Sequence, residues 1–196
     1  MGIKELDKLK ELDFHKQAAF AYLTCERLYP NYVYFSENYN FGNPAVLREA
    51  IDYIYDNLFE QNIDKNRIQT LIQKVEKNTP DPGEFDTILS SSALDACGTI
   101  YDSLDFLVDK QFNHIKSISQ MATDTTDMYI RDVNNIDEYN NKNWIQLVND
   151  HPLMKKEVAI QSGIISFLNN RKTLDYGDIH TLLRLQENEK KGSLNL

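Results

Sequence analysis

Asp124 and Asp127, three residues apart, with His114 ten residues before the first, come nearest in this chain to a set that could do chemistry. Carboxylates at helical spacing can hold a hydrated cation. A histidine beside them would complete a carboxylate–metal hydrolase. The rival reading is the solvated face of a helix. Asp150-His151 reverses the His-Asp order of helical metal phosphohydrolases and runs straight into Pro152, so it reads as the polar start of a helix. His15 and His180 fall in no ligand pattern. There is no His-Glu-x-x-His, and no glutamate stands three residues before a histidine, as helical di-iron bundles require. Cys-x-x-Cys, the P-loop and Gly-x-Ser-x-Gly are absent too, and the seven glycines are scattered. Cys25 and Cys97 each sit in apolar helical pattern, which favours reduced, buried thiols over a disulfide between two helices. The expectation is a non-enzyme with no catalytic residues, no metal and no cofactor.

The acidic residues are better organised. Glu49, Asp52, Asp56 and Glu60 recur at i, i+3, i+7 and i+11, which lines them along one side of a helix. Leu47, Ile51, Ile54 and Leu58 form a separate apolar stripe on the same helix. Asp95, Asp102, Asp105 and Asp109 make a second acidic ridge, turned away from Cys97, Ile100, Leu104 and Val108. No lysine or arginine follows at i+4 to neutralise either ridge. The resulting repulsion costs only a few tenths of a kcal/mol per pair. Two such ridges could steer a basic protein onto the surface; the plain alternative is a solvated face that confers solubility.

Net charge points the same way. The chain carries −9, and residues 51–112 hold 12 acidic against 5 basic side chains. From residue 151 onward the balance reverses, to 7 basic against 5 acidic. Nucleic acid is disfavoured as a ligand, because phosphate binding draws on clustered Lys and Arg.

These residues must be positioned by helices. Period-two alternation is nearly absent and helical periodicity is nearly continuous, predicting an all-α fold: one bundle of seven or eight helices over residues 1–188 with a frayed tail over 189–196. A first helix is expected from Ile3 to Leu28, broken near Asp13 and stopped by Pro30. A short aromatic helix, Tyr32 to Tyr39, should follow. Asn43-Pro44 and Asp64 are good helix starts. Thr79-Pro80-Asp81-Pro82-Gly83 is a tight connection. Long helices are expected over Ser90 to Phe112, Asn113 to Val133, Pro152 to Asn170 and Tyr176 to Asn188, with a loop over Asn134 to Asn143. No apolar run approaches the roughly 18 residues of a membrane span. The opening Met1-Gly2-Ile3-Lys4-Glu5-Leu6 lacks a signal-peptide core and, with Leu6, fails the myristoylation pattern. No membrane association and a cytoplasmic location are expected.

Two further features remain. Tyr29, Tyr32, Tyr34, Phe35, Tyr39 and Phe41 crowd thirteen residues, a density that suits a core corner or a tyrosine-rich interface. Within the same region, Cys25-Glu26-Arg27-Leu28-Tyr29-Pro30-Asn31-Tyr32, followed by Phe41-Gly42, resembles the YjaG-like family of bacterial helical proteins, a domain of unknown function. The resemblance continues through Glu84-Phe85-Asp86, Ala93-Leu94-Asp95-Ala96-Cys97, Ile118 to Met128 and the Pro152 to Leu168 helix, roughly residues 5 to 170, leaving the tail uncovered. It implies an all-α fold without an assigned activity or cofactor. Some relatives are similar to immunity proteins paired with bacterial toxins, which commonly cover a basic toxin with an acidic face. The expected partner is therefore a basic protein, possible toxin domains among them. The alternative is a housekeeping interaction protein that uses the aromatic corner.

Overall fold

A computed structural model of the chain describes residues 6–60, 62–137, 139–186 and 192–196. Asp13 separates α1 (Leu6–Glu11) from α2 (Phe14–Tyr39), and its carboxylate caps α2 by accepting the Lys16 N–H at 3.1 Å. Helix α2 then runs through Pro30, correcting the expected stop. A mid-helix proline costs about 3 kcal/mol. Leu28, Tyr32 and Phe35, on either side of it, are fully buried, and each such burial contributes roughly 1.5–3 kcal/mol. Packing outweighs the local preference. Asn40, left-handed at φ 56°, ends the helix by donating its N–H to Ser36.

The next starts lie where their caps do. Asn43 Oδ1 accepts the Ala45 N–H at 3.0 Å and opens α3 (Pro44–Asp56). Asp64 Oδ1 accepts from Asn66 and Arg67 at 2.9 and 3.1 Å and opens α4 (Lys65–Glu76). The proline-rich connection holds one 3-10 turn, Pro82–Glu84. Thr87 caps α5 (Ile88–Asp109), and Lys110, at φ 58°, makes the corner into α6 (Phe112–Val133). A short α7 (Trp144–Asp150), α8 (Pro152–Asn170) and α9 (Tyr176–Gln186) complete the series. The described residues thus hold nine α-helices in one all-α bundle and no strand. The split at Asp13 and the added α7 account for the excess over seven or eight.

Helices α2 and α5 form the centre, with α6 against α5, α3 and α4 on one side and α8 and α9 on the other. The α5–α6 seam is lined by small buried residues, among them Ser92, Ala96, Thr99, Ser119, Ala122 and Thr126. At Gly98 a Cβ would strike Met121 Sδ, so this close approach requires glycine. A second small cluster, Ile130, Val148 and Met154, packs with Trp144 and Leu153.

The end of the chain corrects the frayed tail expected there, part of which lies outside the described residues. Gly192 turns at φ 59° against Pro30 and Asn31. The Ser193 N–H donates to the Arg27 carbonyl at 3.0 Å, and Leu194 is 2% exposed. Buried apolar area and paired backbone fix this segment although its composition is polar.

Candidate functional site

The two acidic ridges meet different fates in the fold. Glu49 lies between Arg67 and Lys74 of α4; Lys74 Nζ donates to its carboxylate at 2.8 and 3.1 Å, and the Arg67 guanidinium donates to the same group. The lysine bond, with the arginine's, holds the Glu49 carboxyl below its usual range. Asp52 accepts from Arg48 Nε at 2.8 Å, from the residue four positions before it. Asp95 faces α6 and accepts from the Thr125 hydroxyl at 2.6 Å, and burial pushes its pKa up to about 6. Glu49, Asp52 and Asp95 thus have partners within the chain, although Asp52 stays exposed beside Arg48. The neutralising groups come from α4 and from i−4, positions a count along the ridge at i+4 does not visit.

Asp56, Glu60, Asp105 and Asp109 are exposed, and no lysine or arginine among the described residues pairs with any of them. Glu60 lines a cleft of about 320 Å³ whose opposite wall is Leu107, Val108 and Lys110 of the α5 end, with Phe14 and Ile63 completing it. Lys65 and Lys110 line the same cleft, the Lys110 ammonium lying 4.5 Å from the Phe14 ring centroid. Asp109 is not among the residues that line the cleft; its carboxylate faces His114 and the Gln111 N–H at the start of α6. The two ridge ends have different neighbours: Asp56 and Glu60 lie near Tyr176 at the start of α9, whereas Asp102, Asp105 and Asp109 surround His114 of α6.

His114 belongs to this cluster rather than to Asp124 and Asp127. Its Nδ1 lies 2.8 Å from Asp102 Oδ1 and its Nε2 3.1 Å from Asp109 Oδ2. Desolvation disfavours the charged ring, but the bonds to Asp102 and Asp109 outweigh it and raise the His114 pKa. Asp124 lies about 15 Å further along α6, at 1.5 Å per residue, so the three residues cannot share an ion. Asp127 pairs instead with Arg131 at 3.8 Å. Among the described residues no group of three or more His, Cys, Asp or Glu side chains is placed to hold a metal. His151 caps α8, its Nδ1 accepting the Leu153 N–H at 3.2 Å, as a polar helix start should.

The motif in α2 is a hub of internal contacts. Cys25 Sγ lies 3.2 Å from Ser103 Oγ of α5. Glu26 accepts both arms of Arg48 from α3 at 2.7 and 2.8 Å. Arg27 makes a two-pronged pair with Glu157 of α8, at 3.0 and 2.8 Å. Tyr29 donates to the Pro44 carbonyl at 3.2 Å, Asn31 Nδ2 to Ser193 Oγ at 2.8 Å, and Tyr32 to the Asn78 carbonyl at 2.7 Å. Pro30 abuts Gly192. One segment of the central helix thus ties down α3, α5, α8, the connection after α4 and the chain end. Both cysteines are free and buried, and burial pushes both thiols up to about 12. Neither is a nucleophile at neutral pH.

The aromatic corner is core. Phe35 packs with Tyr39, Phe41 and Phe85 at centroid distances of 5.1, 5.9 and 5.0 Å. Tyr32 and Phe35 are fully buried; Tyr34 and Tyr39, at 38% and 40%, are its exposed members. No helix among the described residues is long and apolar enough to cross a membrane.

Fold and hub define an all-helical bundle braced from a single segment of its central helix. The chain belongs to the family described as Protein of unknown function (DUF416), whose model matches residues 4–196. The match includes the C-terminal segment that the sequence motifs left uncovered, consistent with its seat on Arg27 and Asn31. The chain is similar to the uncharacterized protein YjaG of Escherichia coli strain K12, 26% identical over 122 residues. YjaG of Salmonella typhimurium is 25% identical over 122 residues. In each case the aligned stretch covers 62% of this chain and 62% of the relative's own length. The crystal structure of a DUF416 family protein from Shewanella baltica OS155 superposes with a TM-score of 0.84 at 27% identity, over 95% of this chain and 93% of that one.

Proposed function

We propose that this is a non-enzymatic protein-binding domain that receives a basic partner through its exposed carboxylates, Asp56 and Glu60 at and just after the end of α3 and Asp105 and Asp109 near the end of α5. Its most specific form is an immunity protein of the cytoplasm that neutralises a cognate bacterial toxin by covering a basic face. The reading rests on one contrast. The chain supplies counter-charges to Glu49 and Asp52 and holds Asp109 through His114, yet leaves Asp56, Glu60 and Asp105 exposed without a lysine or arginine among the described residues. Such a patch accelerates encounter with a positive surface and repels nucleic acid. The net charge of −9 supports the same partner chemistry.

The test is capture from lysate of the source cells on immobilised wild-type protein and on a variant carrying Asp56→Asn, Glu60→Gln, Asp105→Asn and Asp109→Asn. A basic protein held by the wild type, released by salt and lost from the variant is expected. Partners retained equally by both, or without basic character, would refute the reading.

A further inference from the structure

His114 stands in the first turn of α6, where a positive charge meets the free N–H groups of the helix start and is disfavoured. Yet both of its ring nitrogens face carboxylates of α5, Nδ1 at 2.8 Å from Asp102 and Nε2 at 3.1 Å from Asp109. A neutral imidazole carries one N–H and one bare nitrogen, and an ionised carboxylate only accepts. Two such contacts need two donors. Burial pushes the Asp109 carboxyl up, but the Gln111 N–H and His114 outweigh it and hold that group below its usual range. The arrangement is therefore that of an imidazolium, a cation kept in an unfavourable place by two anions.

Loss of one proton leaves the ring a single donor for two acceptors, and the two are not equivalent. Asp102 is the closer and the more enclosed, its side chain 23% exposed against 35% for Asp109. Asp109 also has a second donor, the Gln111 N–H at 2.8 Å. Asp105, exposed one turn before Asp109, is the third carboxylate near the ring; burial raises it against the pull of His114. Helices α2, α7 and α8 also pack on α6, but among the described residues none of their charged side chains pairs with the ring. Lys110, in the corner, lies over Phe14, and Lys116, on α6 itself, is exposed.

We infer that His114 is a proton-operated clasp on the acidic contact: doubly protonated it ties Asp109 down at the α5–α6 corner, and singly protonated it keeps Asp102 and releases Asp109 beside Asp105. This regulation rests on the reading that these carboxylates receive a basic partner. A cation arriving at Asp109 favours loss of the ring proton, and by the same linkage loss of the proton favours the cation. Affinity for a basic partner therefore rises with pH through the His114 transition, within the range where histidine is the ordinary switch.

Ring nitrogen chemical shifts of the full chain, titrated across neutral pH and assigned through the signals missing from His114→Gln, test the clasp. Below the transition both nitrogens should be protonated. Above it the proton should stay on Nδ1, and Asp109→Asn should lower the transition. A ring that keeps its proton on Nε2, or never carries two, overturns the inference. Deca-lysine is the binding probe, because its charge is constant over this range. Its affinity for the wild type should rise roughly two- to sixfold through the transition, the worth of one charge about 4–8 Å away in water. In His114→Gln and in Asp109→Asn the rise should vanish. Binding that follows pH equally in all three proteins overturns the regulation and leaves the acidic contact standing. No binding at any pH, with the ring behaving as expected, overturns the acidic contact and the regulation with it.

Discussion

Replacing Arg27 by methionine tests the hub most sharply. Arg27 and Glu157 are 5% and 2% exposed and joined by two hydrogen bonds. Gln161 Nε2 donates to the same Glu157 carboxylate at 2.6 Å, and Ser119 in turn donates to Gln161 Oε1 at 2.8 Å. Removing the arginine leaves a buried carboxylate with only an amide donor. Breaking a buried pair from one side costs about 3–5 kcal/mol. In a chain of this size each kcal/mol lowers the melting temperature by roughly 2–4 °C. A loss of roughly 6–20 °C follows. The penalty comes mainly from the stranded charge, so the double variant Arg27→Met with Glu157→Met should recover much of it. Urea unfolding of the four proteins, followed by far-UV circular dichroism, gives the cycle. A single-variant loss below about 1 kcal/mol, the range of a surface pair, would show that the buried pair is not what braces α2 to α8. Strict additivity of the two singles would show the same.

Other parts of the structure give further expectations. Gly42 sits at φ 69°, and a Cβ there would collide with the Tyr32 hydroxyl. Gly42→Ala should therefore cost about 1–2 kcal/mol for the left-handed backbone, plus about 1 kcal/mol if the Tyr32–Asn78 bond breaks, measurable by the same urea unfolding. Asp95 has a folded pKa raised by burial to about 6. Between about pH 4 and 6 the folded state holds the extra proton, so stability falls as pH rises through that window. Asp95→Asn should be more stable than wild type at pH 7, on the order of 1–3 kcal/mol, and equal to it at pH 4; a gain that does not change with pH contradicts this. His114 has the same sign of shift for a base: its contribution is present below about pH 6.5 and is lost as pH rises through its raised folded value. His114→Gln should remove that pH dependence from the thermal midpoint. Leu194→Ala should cost about 2–5 kcal/mol if the chain end is packed as core, and close to nothing if it is frayed.

What the sequence shows clearly is what short-range chemistry decides. Asn43, Asp64 and the break at Asp13 mark helix starts through caps that reach two or three residues. Buried stripes such as Leu47, Ile51 and Ile54 follow from periodicity alone. Apart from Arg48, four positions before Asp52, the missed partners are distant in the chain. Pro30 stays helical because α5 and the aromatic cluster bury the residues beside it. The first acidic ridge is half closed because Arg67 and Lys74 arrive from α4. His114 turns to Asp102 and Asp109 across the α5–α6 corner, which a search along α6 for Asp124 and Asp127 cannot see. Ser193 and Leu194 find Arg27 and Asn31 at the opposite end of the chain.

The central claim is that exposed carboxylates without a lysine or arginine partner among the described residues recruit a basic protein. Its most direct measurement is the association rate of the captured partner with the wild type and with the variant lacking Asp56, Glu60, Asp105 and Asp109, from low to physiological salt. Steered association should fall by roughly tenfold or more for the wild type over that range, while the variant starts slow and barely changes. Equal rates and equal salt slopes for the two proteins would contradict the account.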